Sequence, residues 1–428
     1  MKRYLLITLL SFLFIPIKAQ DKTMSFEVNG LKVIFRPTQK ETVSIRMYYR
    51  GGLMNYNYKQ AGIENLSLSA AATCGTKNYS VNDYQELADE YGIEITGSSQ
   101  EDYGTIGMDC INKYFDQGWK LFSDAVVNPV FDPGEFQKTK DKIRTGIDAR
   151  QSDPETRVAQ MSASAMFEGT PYSIDPMGTE ETIKGFTADS VKNYYLDKLL
   201  NKNSMFLVVA GKITREDLEK KIAESFAALI AKPYTPAVYV QKPLVGEHLL
   251  MEQRPIATNY MSCIMNAPVR NSPDYYAFVL AINALSSNLH YEIRIKQGLS
   301  YDPGATLKIQ QMPYTSMYVS TTQPKKAFQA IVNVYTAVRS GKGYGPDFLA
   351  GIKKDHRSRY YRHQESSNSI VTDLGEAEVL GGYLLEENEL AGINKVTLAD
   401  INLVLNKYLK GAIWIYLGDE EAGKATFQ

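Results

Sequence analysis

The sequence predicts an α+β fold in which two duplicated domains each pack helices on one face of a mostly antiparallel sheet. Within each half of the 428 residues, hairpin strands come first and long helices follow, an order typical of this class. A helix followed by a strand occurs once from Thr187 and again from Thr397, an offset of 210 residues. The chain is therefore predicted to contain an internal duplication, in which both halves have the same order of strands and helices.

The first domain is predicted to span residues 21–230. Its strand at Val43–Tyr49 leads to a helix that begins near Gly62, and a later strand covers Met205–Ala210. Helices are predicted to begin at Asp132-Pro133 and Asp153-Pro154, since aspartate caps a helix and proline is favoured in its first turn.

Residues 231–245 contain three prolines in a polar stretch, which predicts a linker. The second domain then spans 246–428. Its predicted elements are the strand Asn259–Met265, a helix with Ser272 as N-cap and Pro273 as first residue that continues over Tyr275–Leu289, the strand Ala305–Ile309, the helix from Thr397 and the strand Ala412–Leu417.

Composition excludes some classes of function. A net charge of -1, with 44% hydrophobic and 22% charged residues, is ordinary for a globular protein and gives no reason to expect nucleic acid as a partner.

The N-terminus is typical of a signal peptide, predicted as residues 1–20. Lys2 and Arg3 precede the apolar run 4–17, and Ala19 lies before a plausible cleavage point. The run is too short for a stable membrane anchor, although an uncleaved tether is the alternative. No cysteine lies next to the cut, so a lipid anchor is not expected. We expect export to the periplasm of a Gram-negative bacterium.

The helix at residues 62–72 carries an unusual face. It is rich in alanine and leucine and its apolar residues Ile63, Leu66 and Ala70 repeat with helical spacing, which predicts a mostly buried helix. Asn65, Leu68 and Ser69 share one face of it.

This helix and the loop after it, GIENLSLSAAATCGT and KNYS, resemble the motif region of the pitrilysin and mitochondrial processing peptidase family, the inverted zincins. The resemblance extends along most of the chain and implies two similar α/β-roll domains. The family's motif is H-x-x-E-H, in which two histidines hold zinc and the glutamate is the general base. Here Asn65 and Ser69 replace the histidines and Leu68 replaces the glutamate. The third ligand, a glutamate in the family, is replaced by Gly146. The resemblance therefore implies a degenerate site with no metal in this chain.

The segment 294–301, RIKQGLSY, matches a second family feature. The resemblance implies that Arg294 and Tyr301 hold the substrate backbone and donate hydrogen bonds to the oxyanion of the transition state. Preorganised donors of this kind are each worth a factor of ~10² to 10³ in rate. The alternative is a surface arginine beside a half-buried tyrosine.

Other candidate features are weaker. The alternating run 101–111 resembles the family's substrate-pairing edge strand, although an ordinary sheet strand is the commoner outcome for such a pattern. His356 and His363 lie seven residues apart among cations that oppose a metal, and a solvated basic helix is expected there. Cys74, Cys110 and Cys263 show no metal spacing and are expected to be buried, with a disulfide between the first two left open.

Together these features predict a non-catalytic, substrate-binding subunit of a heterodimeric zinc peptidase. The partner would be a homologous subunit that bears H-x-x-E-H and zinc, while this chain would supply Arg294 and Tyr301 for an extended peptide substrate. One alternative is an inactive peptide-binding or scaffold homologue. A lesser alternative is a zinc-dependent metalloendopeptidase in its own right, for which the sequence offers no ligands.

Overall fold

Two β-sheets organise the computed structural model, which describes residues 22–428; the predicted signal peptide, 1–20, lies outside the described residues. The strands of the first sheet are β1 Met24–Val28, β2 Leu31–Pro37, β3 Thr42–Arg50, β4 Glu94–Ser99, β5 Tyr103–Ile111 and β6 Met205–Gly211. Those of the second sheet are β7 Glu247–Gln253, β8 Asn259–Asn266, β9 Gly304–Lys308, β10 Tyr314–Thr321 and β11 Ala412–Gly418.

The two sheets repeat one topology. The first has the order β1-β2-β6-β3-β5-β4 and the second β7-β11-β8-β10-β9. Without β1 the orders correspond strand for strand, and in both the first pair is parallel while the other three are antiparallel. The predicted α+β class, its duplication and its mostly antiparallel sheets are confirmed. Residues 231–245, between the sheets, contain no helix or strand.

The described residues also form sixteen α-helices. In the first half they are α1 Ile63–Thr73, α2 Val81–Tyr91, α3 Phe115–Val127, α4 Pro133–Ser152, α5 Pro154–Met166, α6 Glu180–Gly185, α7 Ala188–Tyr194 and α8 Arg215–Ser225. In the second half they are α9 Tyr275–Leu289, α10 Pro324–Arg339, α11 Pro346–His363, α12 Ser367–Val379, α13 Leu384–Glu387, α14 Glu389–Lys395, α15 Leu398–Tyr408 and α16 Glu420–Phe427. None of the helices in residues 22–428 has the length and apolar character needed to cross a membrane.

Side-chain caps determine where several helices begin. The carboxylate of Asp132 accepts hydrogen bonds from two backbone N–H groups at the start of α4, and Asp153 caps α5. Thr187 and Thr397 form reciprocal capping boxes on α7 and α15. The next strand after each helix, β6 or β11, is the one that pairs in parallel with β2 or β7. One predicted start was wrong. The helix predicted from Ser272 begins at Tyr275, because the backbone at 272–274 forms a turn instead.

Each sheet is also covered on its second face by a helix from the opposite half. Ile370 and Leu374 of α12 pack against Tyr48 and Phe206 of the first sheet. The hydroxyl of Tyr48 donates to the backbone carbonyl of Val371, 3.2 Å away. In return, α5 packs against β8 and β11 of the second sheet. Since both sheets have two apolar faces, this exchange buries surface that neither half covers alone.

A buried carboxylate helps to hold α12 in place. Glu378 accepts hydrogen bonds from the ammonium of Lys32 at 2.6 Å and from the guanidinium of Arg50 at 2.7 Å. Its side chain is 6% exposed, so the two cations offset a charge that would otherwise be costly to bury.

The ordinary sheet strand expected within the run 101–111 is confirmed, whereas the resemblance to a substrate-pairing edge strand does not hold. β5, Tyr103–Ile111, lies between β3 and β4, and its backbone is paired on both sides. β4 forms that edge of the first sheet. An alternating pattern predicts a strand with two different faces, but it carries no information on how many neighbours the strand has.

Candidate functional site

Helix α1 begins at a close approach between two segments of the chain. Gly62 precedes it with φ +84°, and a Cβ atom there would lie 2.5 Å from the carbonyl oxygen of Met177. Only glycine fits both the left-handed backbone and this contact. Apart from Ser69 and Thr73, all residues of the helix are buried, as the sequence predicts.

The degenerate motif residues contact the edge of the first sheet. The side-chain oxygen of Asn65 accepts a hydrogen bond from the backbone N–H of Ser99 at 3.1 Å, and the hydroxyl of Ser69 donates to the carbonyl of Gly97 at 2.9 Å. Leu68 is fully buried and lies against Gly104. Three side chains that the sequence places on one helix face therefore do lie together.

These contacts close part of the β4 edge. A Cβ at Gly97 would lie 2.0 Å from the carbonyl oxygen of Leu68, so α1 and β4 touch backbone to backbone. The N–H of Ser99 and the carbonyl of Gly97 are groups that an added peptide strand would need for pairing. Both are already hydrogen-bonded to α1.

Gly146 lies on α4, which packs beside α1. The atom that a Cβ at Gly146 would meet is the terminal methyl carbon of Met177, at 3.2 Å. A side chain at this position would therefore meet the loop after α5.

Sequence reasoning missed a buried carboxyl group beside the motif. Glu64 is fully buried and accepts hydrogen bonds from Asn55 at 2.9 Å, Tyr194 at 3.0 Å and Ser99 at 3.3 Å. Burial raises the pKa of Glu64 to about 7, while these three donors act in the opposite direction. The available signal was a single charged residue within an otherwise uncharged helix.

We expect Glu64→Gln to reduce the pH dependence of stability. The folded protein holds a proton on Glu64 up to about pH 7, whereas the unfolded chain releases it near 4.5. Folded protein thus binds more protons between these values, so the free energy of unfolding falls as pH rises through this window and is level above it. Removing the titrating group removes this decline. Each pKa unit is worth about 1.4 kcal/mol.

Urea unfolding at pH 5 and pH 8 measures the effect. Tyr194 and Ser99 contact residue 64 through hydroxyls, which can rotate to accept a hydrogen bond from the amide of glutamine. We therefore expect the free energy of unfolding of the variant at pH 8 to rise by on the order of 2 kcal/mol relative to the unsubstituted protein. Glu86→Gln on the exposed side of α2 is the matched control. Identical pH slopes for Glu64→Gln and the unsubstituted protein would contradict this interpretation.

Arg294 and Tyr301 lie together in the second half. Arg294 belongs to a π-helical turn, His290–Lys296, that continues α9. The chain then reverses at Gly298, which has φ +63°, and Leu299 anchors the return by donating its N–H to the carbonyl of Ile293. As a result the guanidinium of Arg294 stacks 4.2 Å from the centre of the Tyr301 ring.

The phenol of this pair faces solvent. Tyr301 is 78% exposed, and the neighbouring Tyr291 and Ile295 are each 62% exposed. The prediction of a half-buried tyrosine, made as the alternative to a clamp, does not fit this exposure. Among the described residues, no hydrogen bond or ion pair joins Arg294 or Tyr301 to the motif residues of α1.

The other candidate residues form no metal site. His356 lies 3.2 Å from Glu389, and His363 lies 3.6 Å from Asp373, so the two histidines contact different carboxylates. Within residues 22–428 no group of three His, Cys, Asp or Glu side chains converges to hold a metal ion. The three cysteines are buried, as expected, and free, so the Cys74–Cys110 disulfide that the sequence left open is not formed.

Two family profiles match the chain. Residues 32–180 match the profile described as Insulinase (Peptidase family M16), and residues 185–343 match Peptidase M16 inactive domain. The matches follow one another and include both the motif helix and the Arg294–Tyr301 segment.

Individual relatives differ in what they are called. An uncharacterised zinc protease of Mycobacterium leprae is 22% identical over 345 residues, which cover 78% of this chain and 77% of the relative. A non-peptidase homologue of Helicobacter pylori is 22% identical over 313 residues, 70% of each chain. Among solved structures, the periplasmic protease PqqL of Escherichia coli superposes with a TM-score of 0.76 at 12% identity. That match covers 93% of this chain and 46% of PqqL, so the fold recurs within a chain about twice as long.

Proposed function

Because this chain belongs to peptidase family M16, and its second part matches the inactive domain of that family, we propose that it is a non-catalytic, substrate-binding subunit of a heterodimeric zinc peptidase. The partner is a homologous subunit that carries H-x-x-E-H and the zinc ion. The substrate is an extended peptide held between the two subunits.

One observation carries the proposal. The residues at the metal-ligand positions of α1 make hydrogen bonds with β4, while the guanidinium of the half-buried Arg294 stacks on the exposed ring of Tyr301, where the pair can act on a neighbouring molecule. Guanidinium and phenol groups are suitable donors for an oxyanion. Such a half-site is useful only beside a metal held by another chain.

The relatives support a pairing of two such units. This chain has the length of about half of PqqL, so a complete enclosure of that size needs a second chain. We also propose that the subunit acts in the periplasm, on the strength of its N-terminal sequence. Fractionation of the native cells would test the compartment.

Peptide hydrolysis by this chain alone, by its candidate partner alone and by their mixture tests the proposal. We expect hydrolysis only in the mixture, together with a stable heterodimer in size-exclusion chromatography. Full activity of the partner alone, with no gain on mixing, would contradict the shared site. Stoichiometric zinc in this chain after metal-free purification and reloading would contradict its non-catalytic role.

A scaffold or peptide-binding homologue without any link to hydrolysis is the second candidate. The closed β4 edge favours it, because the first sheet does not offer the N–H of Ser99 or the carbonyl of Gly97 to a peptide strand. A stable homodimer that recruits no H-x-x-E-H subunit is the result expected for this alternative.

A further inference from the structure

A cavity of about 340 Å³ lies where the two halves of the chain meet. The first half contributes α5 and the loop at 167–179, and the second contributes Lys308, Gln310 and Tyr314 around the β9–β10 turn. This volume is within the range typical of small-molecule sites. The cavity is separate from the Arg294–Tyr301 pair, which does not line it.

One wall of the cavity is aromatic and firmly packed. The ring of Phe167 lies 5.2 Å from that of Tyr172 and 5.8 Å from that of Tyr314, both edge-on. Behind the wall, Tyr239 of the linker packs against Tyr172 at 5.8 Å. Phe167 and Tyr172 are almost fully buried, so the wall is preformed and suits an apolar side chain.

Two residues that line the cavity have buried polar atoms without partners among the described residues. These are the hydroxyl of Tyr172 and the side-chain oxygen of Gln310. The amide nitrogen of Gln310 donates to the carbonyl of Met312 at 2.8 Å, which leaves its oxygen as a free acceptor. Buried polar groups without partners are costly and rare. A peptide amide offers what both lack, a carbonyl for Tyr172 and an N–H for Gln310.

Charges of both signs line the same cavity. Arg150 lies 3.4 Å from Asp175, and its guanidinium also contacts the thioether of Met177, a weak acceptor. Most of its hydrogen-bonding capacity is therefore available for a stronger acceptor such as a carboxylate. Across the cavity, Glu101 pairs with Lys308 at 3.0 Å and presents a carboxylate suited to an amine.

We propose that this cavity binds a short apolar peptide of two or three residues with a free C-terminal carboxylate. The carboxylate pairs with Arg150, a peptide amide bridges Tyr172 and Gln310, and an apolar side chain packs on the aromatic wall. The inference rests on the proposed peptide-handling role of the chain. Hydrolysis of a peptide bond creates a new free carboxylate, so the ligands of this cavity are of the kind that the proposed complex releases.

Calorimetric titration of the full chain with the tripeptide Ala-Leu-Phe tests the inference. We expect saturable binding of the free acid, and binding at least about tenfold weaker for the same peptide ending in a carboxamide, because the pair with Arg150 is lost. Arg150→Gln should weaken binding of the free acid to the level of the carboxamide. Arg144→Gln is the matched control, since Arg144 lies on the same helix but pairs with Glu180 outside the cavity.

Tyr172→Phe tests the amide contact while keeping the aromatic wall. It removes an unpartnered hydroxyl, so we expect the free protein to retain or gain stability while tripeptide affinity falls by about five- to tenfold. No saturable binding of the free acid would overturn the proposal. Equal affinity for the acid and the carboxamide, or unchanged binding by Arg150→Gln or Tyr172→Phe, would show adventitious binding only and would overturn it as well.

The titration uses this chain alone, so it is independent of the hydrolysis experiment. Tripeptide binding without stimulated hydrolysis would leave the cavity site standing and remove the shared active site. Stimulated hydrolysis without tripeptide binding would do the reverse.

Discussion

Arg294→Ala is expected to lower kcat/KM of the mixed complex by a factor of about 10² or more. A guanidinium aimed at a developing oxyanion is worth this much when it is preorganised. Its stacking on the ring of Tyr301, 4.2 Å away, supplies that preorganisation. Steady-state hydrolysis of an extended peptide, with this chain in excess over its partner, provides the measurement.

Tyr301→Phe separates the phenol from the ring. The ring remains to support Arg294, so the expected loss of about 10²-fold is that of the hydroxyl donor alone. Arg339→Ala is the matched control, because Arg339 stacks on Tyr335 at 5.2 Å in the same half of the chain, and both residues lie within α10. Wild-type kcat/KM for Arg294→Ala would remove the clamp from the proposed function, whereas equal losses for Arg294→Ala and Arg339→Ala would indicate a general effect of destabilisation.

Gly375→Ala is expected to destabilise the chain by about 3 kcal/mol, at the upper end of the range for overpacking. Gly375 lies on α12 where that helix crosses the first sheet, and an added methyl would lie 2.0 Å from the ring of Tyr48. Tyr48 has no room to retreat, since it stacks 4.8 Å from Phe206 and is 1% exposed. Either α12 must lift from the sheet or the core must rearrange.

Urea unfolding followed by circular dichroism measures this loss. Gly351→Ala is the matched control, because Gly351 is also in a helix but a Cβ there meets nothing within 4 Å. Alanine is a better helix former than glycine by about 1 kcal/mol, so the control should be neutral or more stable. A Gly375→Ala variant as stable as the Gly351→Ala variant would show that α12 is not tightly seated on the first sheet.

The sequence predicted the elements of each half more reliably than their neighbours. The strand at 205–210 and the helix at 275–289 were found because the residue composition of a segment is a local signal. The helix starts at Thr187 and Thr397 revealed the duplication, because helix caps are also local signals. Periodicity shows that a face is buried, but it does not identify what buries it. Hence the interior position of β5 and the crossing of α12 onto the first sheet were not predictable.

In the candidate site, too, local features were predictable and contacts between distant segments were not. Asn65, Leu68 and Ser69 were placed correctly on one face of a buried helix, since three residues at these spacings must share it. Their hydrogen bonds to Ser99 and Gly97 depend on a backbone that arrives from another element. The cavity at Tyr172 and Gln310 joins residues more than a hundred positions apart, and such pairs leave no local pattern.

The exchange of helices between the halves imposes an order on biosynthesis. A chain that emerges N-terminus first, from a ribosome or an export channel, completes the first sheet at Gly211, but its second face stays bare until α12 ends at Val379, 168 residues later. At the usual rate of about 5 to 20 residues per second, translation leaves that apolar surface uncovered for roughly 10 to 30 s. The nascent chain is therefore a candidate client for chaperones during this interval.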